Sequence, residues 1–157
     1  MTTLMLVRHG IAQTPKEAPD RERQLTKLGV QWARRTFQGV VALGHVPTLI
    51  LASPYRRAQQ TCALLEEAVA AAGHPAPERR EWLGCCADGA AAEGLAYLEQ
   101  LQGHGTIAVL GHEPFLGDLL RQATLRELSF LEAEVAVLTR RGAGWALAAD
   151  LTHSDFI

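Results

Sequence analysis

Two histidines and several arginines recur at one kind of place in this chain, immediately after a short apolar run. Thr3 to Val7 leads into Arg8-His9-Gly10, Thr48 to Ala52 into Ser53-Pro54-Tyr55-Arg56-Arg57-Ala58, and Thr106 to Leu110 into Gly111-His112-Glu113-Pro114. Runs that are apolar on both faces are the mark of buried strands in a parallel sheet. Such a sheet aligns the carboxyl ends of its strands along one edge, where ligands bind. His9, His112, Arg8 and Arg57 are therefore expected to share one crevice. Guanidinium groups near helix starts favour an anion, and imidazoles supply acid–base or nucleophilic chemistry. Phosphoryl transfer uses both, because charge on the transferring group must be balanced while a nucleophile lies in line with the leaving group. A neutral imidazole can attack phosphorus directly. Neighbouring guanidinium groups disfavour a second positive charge and so help to keep His9 neutral. Gly10 leaves room for the chain to turn closely past a phosphate.

The segments between these runs supply the elements that position them. Residues 11–24 carry Pro15, Pro19 and many charges and read as a surface loop. Thr26 is placed to cap a helix from Lys27 to about Val41, with Leu25, Leu28, Trp32, Phe37 and Val40 roughly on one face. Ser53-Pro54 reads as the opening of a second helix with the stripe Ala58, Cys62, Leu65, Val69, ended by Gly73 and Pro75. Glu78 to Trp82 reads as a short strand, 83–90 as a loop, and 91–102 as a helix through Leu95, Leu98 and Leu101. Pro114 stands where a fourth helix begins, a favoured place for proline. Glu134 to Thr139 and Trp145 to Ala149 read as a hairpin around Arg141-Gly142-Ala143-Gly144. Strands alternating with helices imply an α/β fold in which a largely parallel central sheet is covered by helices on both sides.

Composition narrows the class. The 157 residues fit one domain spanning the chain, and 48% hydrophobic content is ordinary for a globular protein. No apolar run approaches membrane-spanning length, and the N-terminus reads as a strand and not a signal peptide. The formal charge of −2 offers no general attraction to nucleic acid or an anionic membrane. The three cysteines, Cys62, Cys85 and Cys86, make a poor disulfide framework, so buried thiols in a cytoplasmic protein are expected. Among basic residues, 13 are Arg and 2 are Lys. Codon usage explains such a skew as well as phosphate binding does, and only the positions of the arginines separate the two. His45, His74, His104 and His153 fall in loops or ends without metal-ligand spacing, so neither metal nor cofactor is expected.

Leu6-Val7-Arg8-His9-Gly10 after a first strand resembles the signature of the histidine phosphatase superfamily, which includes phosphoglycerate mutases and acid phosphatases. Leu25-Thr26-Lys27-Leu28-Gly29 resembles the family's Leu-Thr-x-x-Gly helix start. Ser53-Pro54-Tyr55-Arg56-Arg57-Ala58-Gln59-Gln60-Thr61 resembles its Ser-Pro-x-x-Arg-Ala-x-x-Thr segment, and Gly111-His112 its second histidine. Four motifs in order, each at a strand end or helix start, are far more specific than any one of them. Chain length and the string Arg23-Gln24-Leu25-Thr26 resemble the short SixA-like branch, the phosphohistidine phosphatases. The resemblance implies a three-layer α/β/α, phosphoglycerate mutase-like fold and a covalent phosphohistidine on His9. It implies that Arg8 and Arg57 bind phosphoryl oxygens, that Arg23 supplies a third phosphate-binding arginine, and that His112 stabilises the developing charge.

Each assignment has a plainer competitor. A lone buried histidine is more often a satisfied structural group than a nucleophile; His9 and His112 stand apart because both follow buried strands inside motifs. Arg56 adjoins Arg57, and Arg21 competes with Arg23. Ser53 can cap the second helix, donate to phosphate, or both. Longer members of the superfamily place a general-acid carboxylate after the third strand. Here that region reads Trp82-Leu83-Gly84-Cys85-Cys86-Ala87-Asp88, without a Glu at the motif position. Asp88, Glu93 and Glu113 are the nearby carboxylates, and Glu113 adjoins His112 at the expected mouth of the crevice; solvated surface charge is the plain reading of all three. An alkoxide leaves poorly without a proton donor, whereas an imidazole leaves readily. The expected substrate is accordingly a phosphohistidine on a protein partner, bound by a monomer. The alternatives are a small phosphorylated metabolite, or a non-catalytic phosphoprotein-binding module.

Overall fold

The computed structural model describes residues 1–157, and its centre is one sheet of six strands in the order β3-β2-β4-β1-β5-β6. Strands β1 (Thr3–Arg8), β2 (Leu49–Ala52), β3 (Glu78–Glu81) and β4 (Thr106–Gly111) run parallel, and β5 (Val135–Arg141) and β6 (Gly144–Leu151) continue the sheet antiparallel beside β1. Helices α1 (Lys27–Ala42) and α2 (Arg56–Ala71) cover one face, and α3 (Ala91–Gln100) and α4 (Phe115–Thr124) the other. This is a mostly parallel sheet in a three-layer α/β/α sandwich.

The alternation of side chains along a strand makes the two cores. Met5 and Val7 of β1 join Ile50, Ala108 and Leu110 beneath Phe37, Val40, Cys62 and Leu65. Leu4 and Leu6 point the other way, toward Leu51, Val109, Phe115 and Leu119. Phe37 is fully buried, so truncating it to Ala costs about 3–5 kcal/mol. No helix is long and apolar enough to cross a membrane.

Helix α1 starts where the capping residue implies: Thr26 accepts a hydrogen bond from the Gly29 N–H at 3.0 Å, a cap of about 1 kcal/mol. A side chain at Gly29 would collide with the Ile11 carbonyl. Glycine there lets the start of α1 dock on the loop after His9. The buried face of α1 runs through Gly29, Ala33, Thr36, Phe37, Val40 and Val41. Leu28 is exposed instead of sharing that face, and Trp32 stacks on His153 at 3.6 Å between ring centroids. His153 belongs to a C-terminal 3-10 turn, His153–Phe156, that the hydrophobic pattern does not announce.

Other boundaries shift for local reasons. Helix α2 begins at Arg56 with Tyr55 as its N-cap, so Ser53 is not the cap expected of it. Helix α3 stops at Gln100, and Gly103 follows with φ +86°. The loop 11–24 contains a 3-10 turn at Asp20–Glu22 and is pinned by an Ala12–Leu25 bridge. The loop 83–90 opens with a 3-10 turn at Leu83–Cys85. The hairpin narrows to Gly142-Ala143 between strands. Strand β3 reads Glu-Arg-Arg-Glu, wholly exposed at the sheet edge, where charge blunts strand-to-strand aggregation.

Candidate active site

Register brings the two histidines together. In the parallel pair β1–β4, Arg8 lies opposite Gly111, so the next residue of each strand, His9 and His112, emerges at the same level. Their rings lie 5.0 Å apart, tilted by 54°. Strand β2, on the other side of β4, delivers Ser53 and the first turn of α2, which carries Arg57. The crevice so formed has a volume of about 260 Å³ and is lined by Arg8, His9, Arg23, Arg57, His112 and Glu113, with Ile11, Ala12, Ala87 and Glu132. A recess of about 250 Å³ shares Arg57 and His112 with it and adds Asp20, Tyr55 and Asp88.

The His9 ring is held in one orientation. Its Nδ1 lies 2.8 Å from the Gly10 carbonyl oxygen, which can only accept, so Nδ1 carries the proton and Nε2 the lone pair. Burial, opposed by that bond and reinforced by His112, Arg57 and Arg8, lowers the His9 pKa to about 3. Burial and then Arg57 lower that of His112 to about 4, against the opposing charge of Asp20. Both rings are therefore neutral across the physiological range. A neutral imidazole with its Nε2 lone pair free is the form that can attack phosphorus.

The three crevice arginines are held by backbone carbonyls. Arg8 donates from Nη1 to the Phe130 carbonyl at 2.6 Å, and its buried Nε has no protein partner. Arg23 donates from Nη1 to the Gln13 carbonyl at 3.0 Å. Its Nε lies 3.2 Å from Asp20 Oδ1, without the alignment of a hydrogen bond. Arg57 is 6% exposed; it donates from Nη1 to the Asp20 carbonyl at 2.7 Å and reaches His9 Nε2 from Nε at 3.4 Å. The Asp20 carboxylate stands 3.5 Å from Arg57 Nη1, between it and Arg23. Burial, then the charge of Arg23, lowers the Arg57 pKa. Asp20, Glu113 and Glu132 stand around these three guanidinium groups, but Arg8 Nε and Arg23 Nε keep N–H groups without a hydrogen-bonded protein partner, the donors an oxyanion site needs.

The arginine pairs separate cleanly. Arg23 lines the crevice, whereas Arg21 is exposed and lies over the Tyr55 ring at 5.0 Å. Arg57 points inward and Arg56 is exposed. Two of the residues expected to bind substrate also make structural contacts. The Gly10 N–H donates to Thr61 Oγ1 at 3.0 Å, which supports the loop after His9. Ser53 is fully buried, accepts from the Tyr55 N–H at 3.2 Å and lies 2.7 Å from His112 Nε2. Glu113 lines the crevice, but its two oxygens accept from the Gly117 and Phe130 N–H groups at 2.7 and 3.1 Å. Glu113 and Arg8 thus grip the same residue, Phe130. Glu93 lies apart, beside Trp82 and Tyr97.

Sequence reasoning overlooked Glu132, which reaches the crevice from the segment before β5. That segment carries no motif, and it is held near the site by backbone hydrogen bonds: Ala133 donates to the Arg8 and His9 carbonyls at 3.1 and 3.2 Å, and the Arg8 N–H donates to the Glu134 carbonyl at 3.2 Å. No cluster of three or more His, Cys, Asp or Glu side chains is arranged to hold a metal ion.

Comparison with known proteins places this geometry. Residues 4–94 match the model of the histidine phosphatase superfamily, branch 1. The chain belongs to that family. An uncharacterised protein of Picosynechococcus is 32% identical over 118 residues, which cover 73% of this chain and 68% of its own. In structure the chain resembles the protein histidine phosphatase SixA in complex with tungstate, with a TM-score of 0.88, 21% identity and 99% of each chain covered. It also resembles an Entamoeba histolytica phosphoserine phosphatase in complex with phosphoserine, with a TM-score of 0.70, 14% identity and 100% of each chain covered. The fold is that of the SixA-like histidine phosphatases, and membership of the superfamily supports phosphatase activity.

Proposed function

We propose that the chain hydrolyses phosphohistidine on a protein, through a phosphoryl group carried transiently on His9 Nε2. One observation carries the reading: a neutral imidazole whose Nδ1–H is tied to the Gly10 carbonyl, with an unprotonated Nε2 turned toward Arg57 Nε at 3.4 Å in a crevice that Arg8 and Arg23 also line. In the first step Nε2 attacks phosphorus and the bond to the leaving imidazole nitrogen breaks, that nitrogen keeping the electron pair and taking a proton from solvent at the open mouth. In the second, water attacks the phosphoryl group on His9, the P–N bond breaks, and inorganic phosphate leaves. The arginines balance the equatorial charge in both steps.

Three features favour a protein-borne nitrogen leaving group. The mouth is open on the side of Ala87 and Asp88, both exposed. The recess of about 250 Å³ beside His112 and Arg57 offers room for an imidazole on a partner's surface. Glu113, the carboxylate next to His112 in sequence, spends both oxygens on backbone N–H groups, and an imidazole leaving group has the least need of an acid.

A second reading is a phosphatase for a small phosphorylated metabolite. It draws on Asp88 in the recess and Glu132 in the crevice, either of which could protonate an alkoxide. The test sets a phosphohistidine-bearing protein domain against a panel of small phosphoesters, with rapid quench of a labelled donor. Higher kcat/KM on the phosphohistidine protein and acid-labile label on His9 support the proposal. A higher value on any small ester assigns the second reading, and full turnover by His9→Ala removes the covalent mechanism.

A further inference from the structure

The floor of the crevice holds a buried chain of three side chains from three segments: Cys86 Sγ lies 3.6 Å from Ser53 Oγ, which lies 2.7 Å from His112 Nε2. Ser53 is fully buried and Cys86 is 7% exposed. We infer that Ser53 is a positioning residue that donates its hydroxyl proton to His112 Nε2, fixing His112 with its own proton on Nδ1, and that Cys86 completes the arrangement by donating to Ser53.

A serine hydroxyl has one proton to give and two lone pairs. The Tyr55 N–H takes one lone pair at 3.2 Å, leaving one proton and one lone pair for His112 and Cys86. If the proton goes to His112, the thiol donates to the remaining lone pair and every group is satisfied. The reverse arrangement spends the hydroxyl proton on a sulfur, a weak acceptor, and makes the imidazole N–H the donor. The 2.7 Å separation sits at the mode for a hydroxyl donor and at the short end of the range for an N–H donor. Burial also keeps the His112 ring neutral, so one of its nitrogens must be bare.

The consequence reaches the ligand. His112 Nδ1 has no protein partner and is not among the buried orphan atoms, so it is open to the crevice. Phosphoryl oxygens only accept hydrogen bonds. A protonated Nδ1 donates to them, whereas a bare one would turn its lone pair toward an anion. Ser53 therefore acts on the reaction through His112, without touching the substrate.

The role in turnover rests on the phosphatase reading, but the tautomer does not, so the experiment begins there. Long-range nitrogen–proton correlation spectra of ligand-free, nitrogen-15-labelled protein should show His112 with a protonated Nδ1 and a bare Nε2 between pH 6 and 8. The reverse pattern overturns the inference, whether or not the protein proves active. Ser53→Ala should move the proton toward Nε2 and lower kcat tenfold or more, with KM changed less than threefold. Ser53→Thr, which restores a hydroxyl, should recover most of the loss. A fall of less than threefold in kcat for Ser53→Ala overturns the positioning role. Should Ser53→Ala fail to fold, the spectrum of the parent protein decides alone. Failure of turnover on every phosphorylated substrate, with the expected tautomer present, would overturn the function and leave this assignment standing.

Discussion

The rings of His9 and His112 stand 5.0 Å apart because Arg8 and Gly111 are paired across two adjacent parallel strands. Each histidine is the first residue beyond its strand, so the sheet itself sets their spacing. Both rings are buried, and burial first, then the charges of Arg57 and Arg8, lowers the pKa of each. His9 titrates at about 3 and His112 at about 4.

That pairing fixes the sign of the pH dependence. The active form requires neutral rings, and they remain neutral until the pH falls toward 4. The acid limb of kcat/KM, which reports the free enzyme, is expected near pH 4 once the second ionisation of the substrate phosphate is taken into account. An unperturbed histidine would place it near 6.5. Measurement of kcat/KM from pH 3.5 to 8 checks this; an acid limb at 6 or above contradicts it.

Arg23 and Arg21 give a matched comparison. Arg23 lines the crevice beside Asp20, whereas Arg21 is exposed and lies over the Tyr55 ring. Charge-assisted bonds to phosphate are worth about 1.5–3 kcal/mol each, so Arg23→Ala should weaken inorganic phosphate inhibition by roughly tenfold or more. Arg21→Ala should change it less than about twofold, since surface contributions of this kind are small. Product-inhibition constants for the two variants decide the matter, and equal effects would show that Arg23 does not bind phosphate.

Asp88 and Glu132 bear on the leaving group. If the natural leaving group is an imidazole, Asp88→Asn and Glu132→Gln should leave kcat on a phosphohistidine protein within about threefold, because general-acid assistance there is small. On an alkyl phosphate, loss of a true proton donor costs about 10²–10⁴-fold. Paired kcat values on the two substrate classes reveal which carboxylate, if either, donates a proton.

The parts of the site that follow strand ends were legible from residue order alone. His9, Arg8, Arg57 and His112 each sit one to five residues beyond an apolar run, and a parallel sheet must align such ends. The antiparallel addition of β5 beside β1 brings in Glu132, and no local pattern in the preceding segment signals that approach. The task of Ser53 was equally hidden, since it depends on Cys86, whose place is set by the 3-10 turn after β3. Strand β3 itself is marginal in pattern because an exposed edge of Glu and Arg has no apolar face to alternate. Trp32 looked like core because tryptophan on a helix face usually is; here the C-terminal turn supplies a stacking partner at the surface.

Glu134 gives a stability prediction at the edge of the site. It is 3% exposed, its Oε1 accepts from the Leu131 N–H at 2.8 Å, and the Asp150 carboxyl adjoins it. Burial, then Asp150, with Glu113 adding to the same effect, raises its pKa from 4.5 to about 8. The folded protein therefore holds a proton between pH 4.5 and 8 that the unfolded chain releases. Stability on this account is greatest below pH 4.5 and declines as the pH rises toward 8. Glu134→Gln keeps an oxygen for the Leu131 N–H and provides a permanent donor for Asp150. The variant should match the parent in Tm at pH 5 and exceed it at pH 9, with the difference growing between. Thermal denaturation across that range is the check; a Tm difference independent of pH would show that Glu134 ionises normally in the fold.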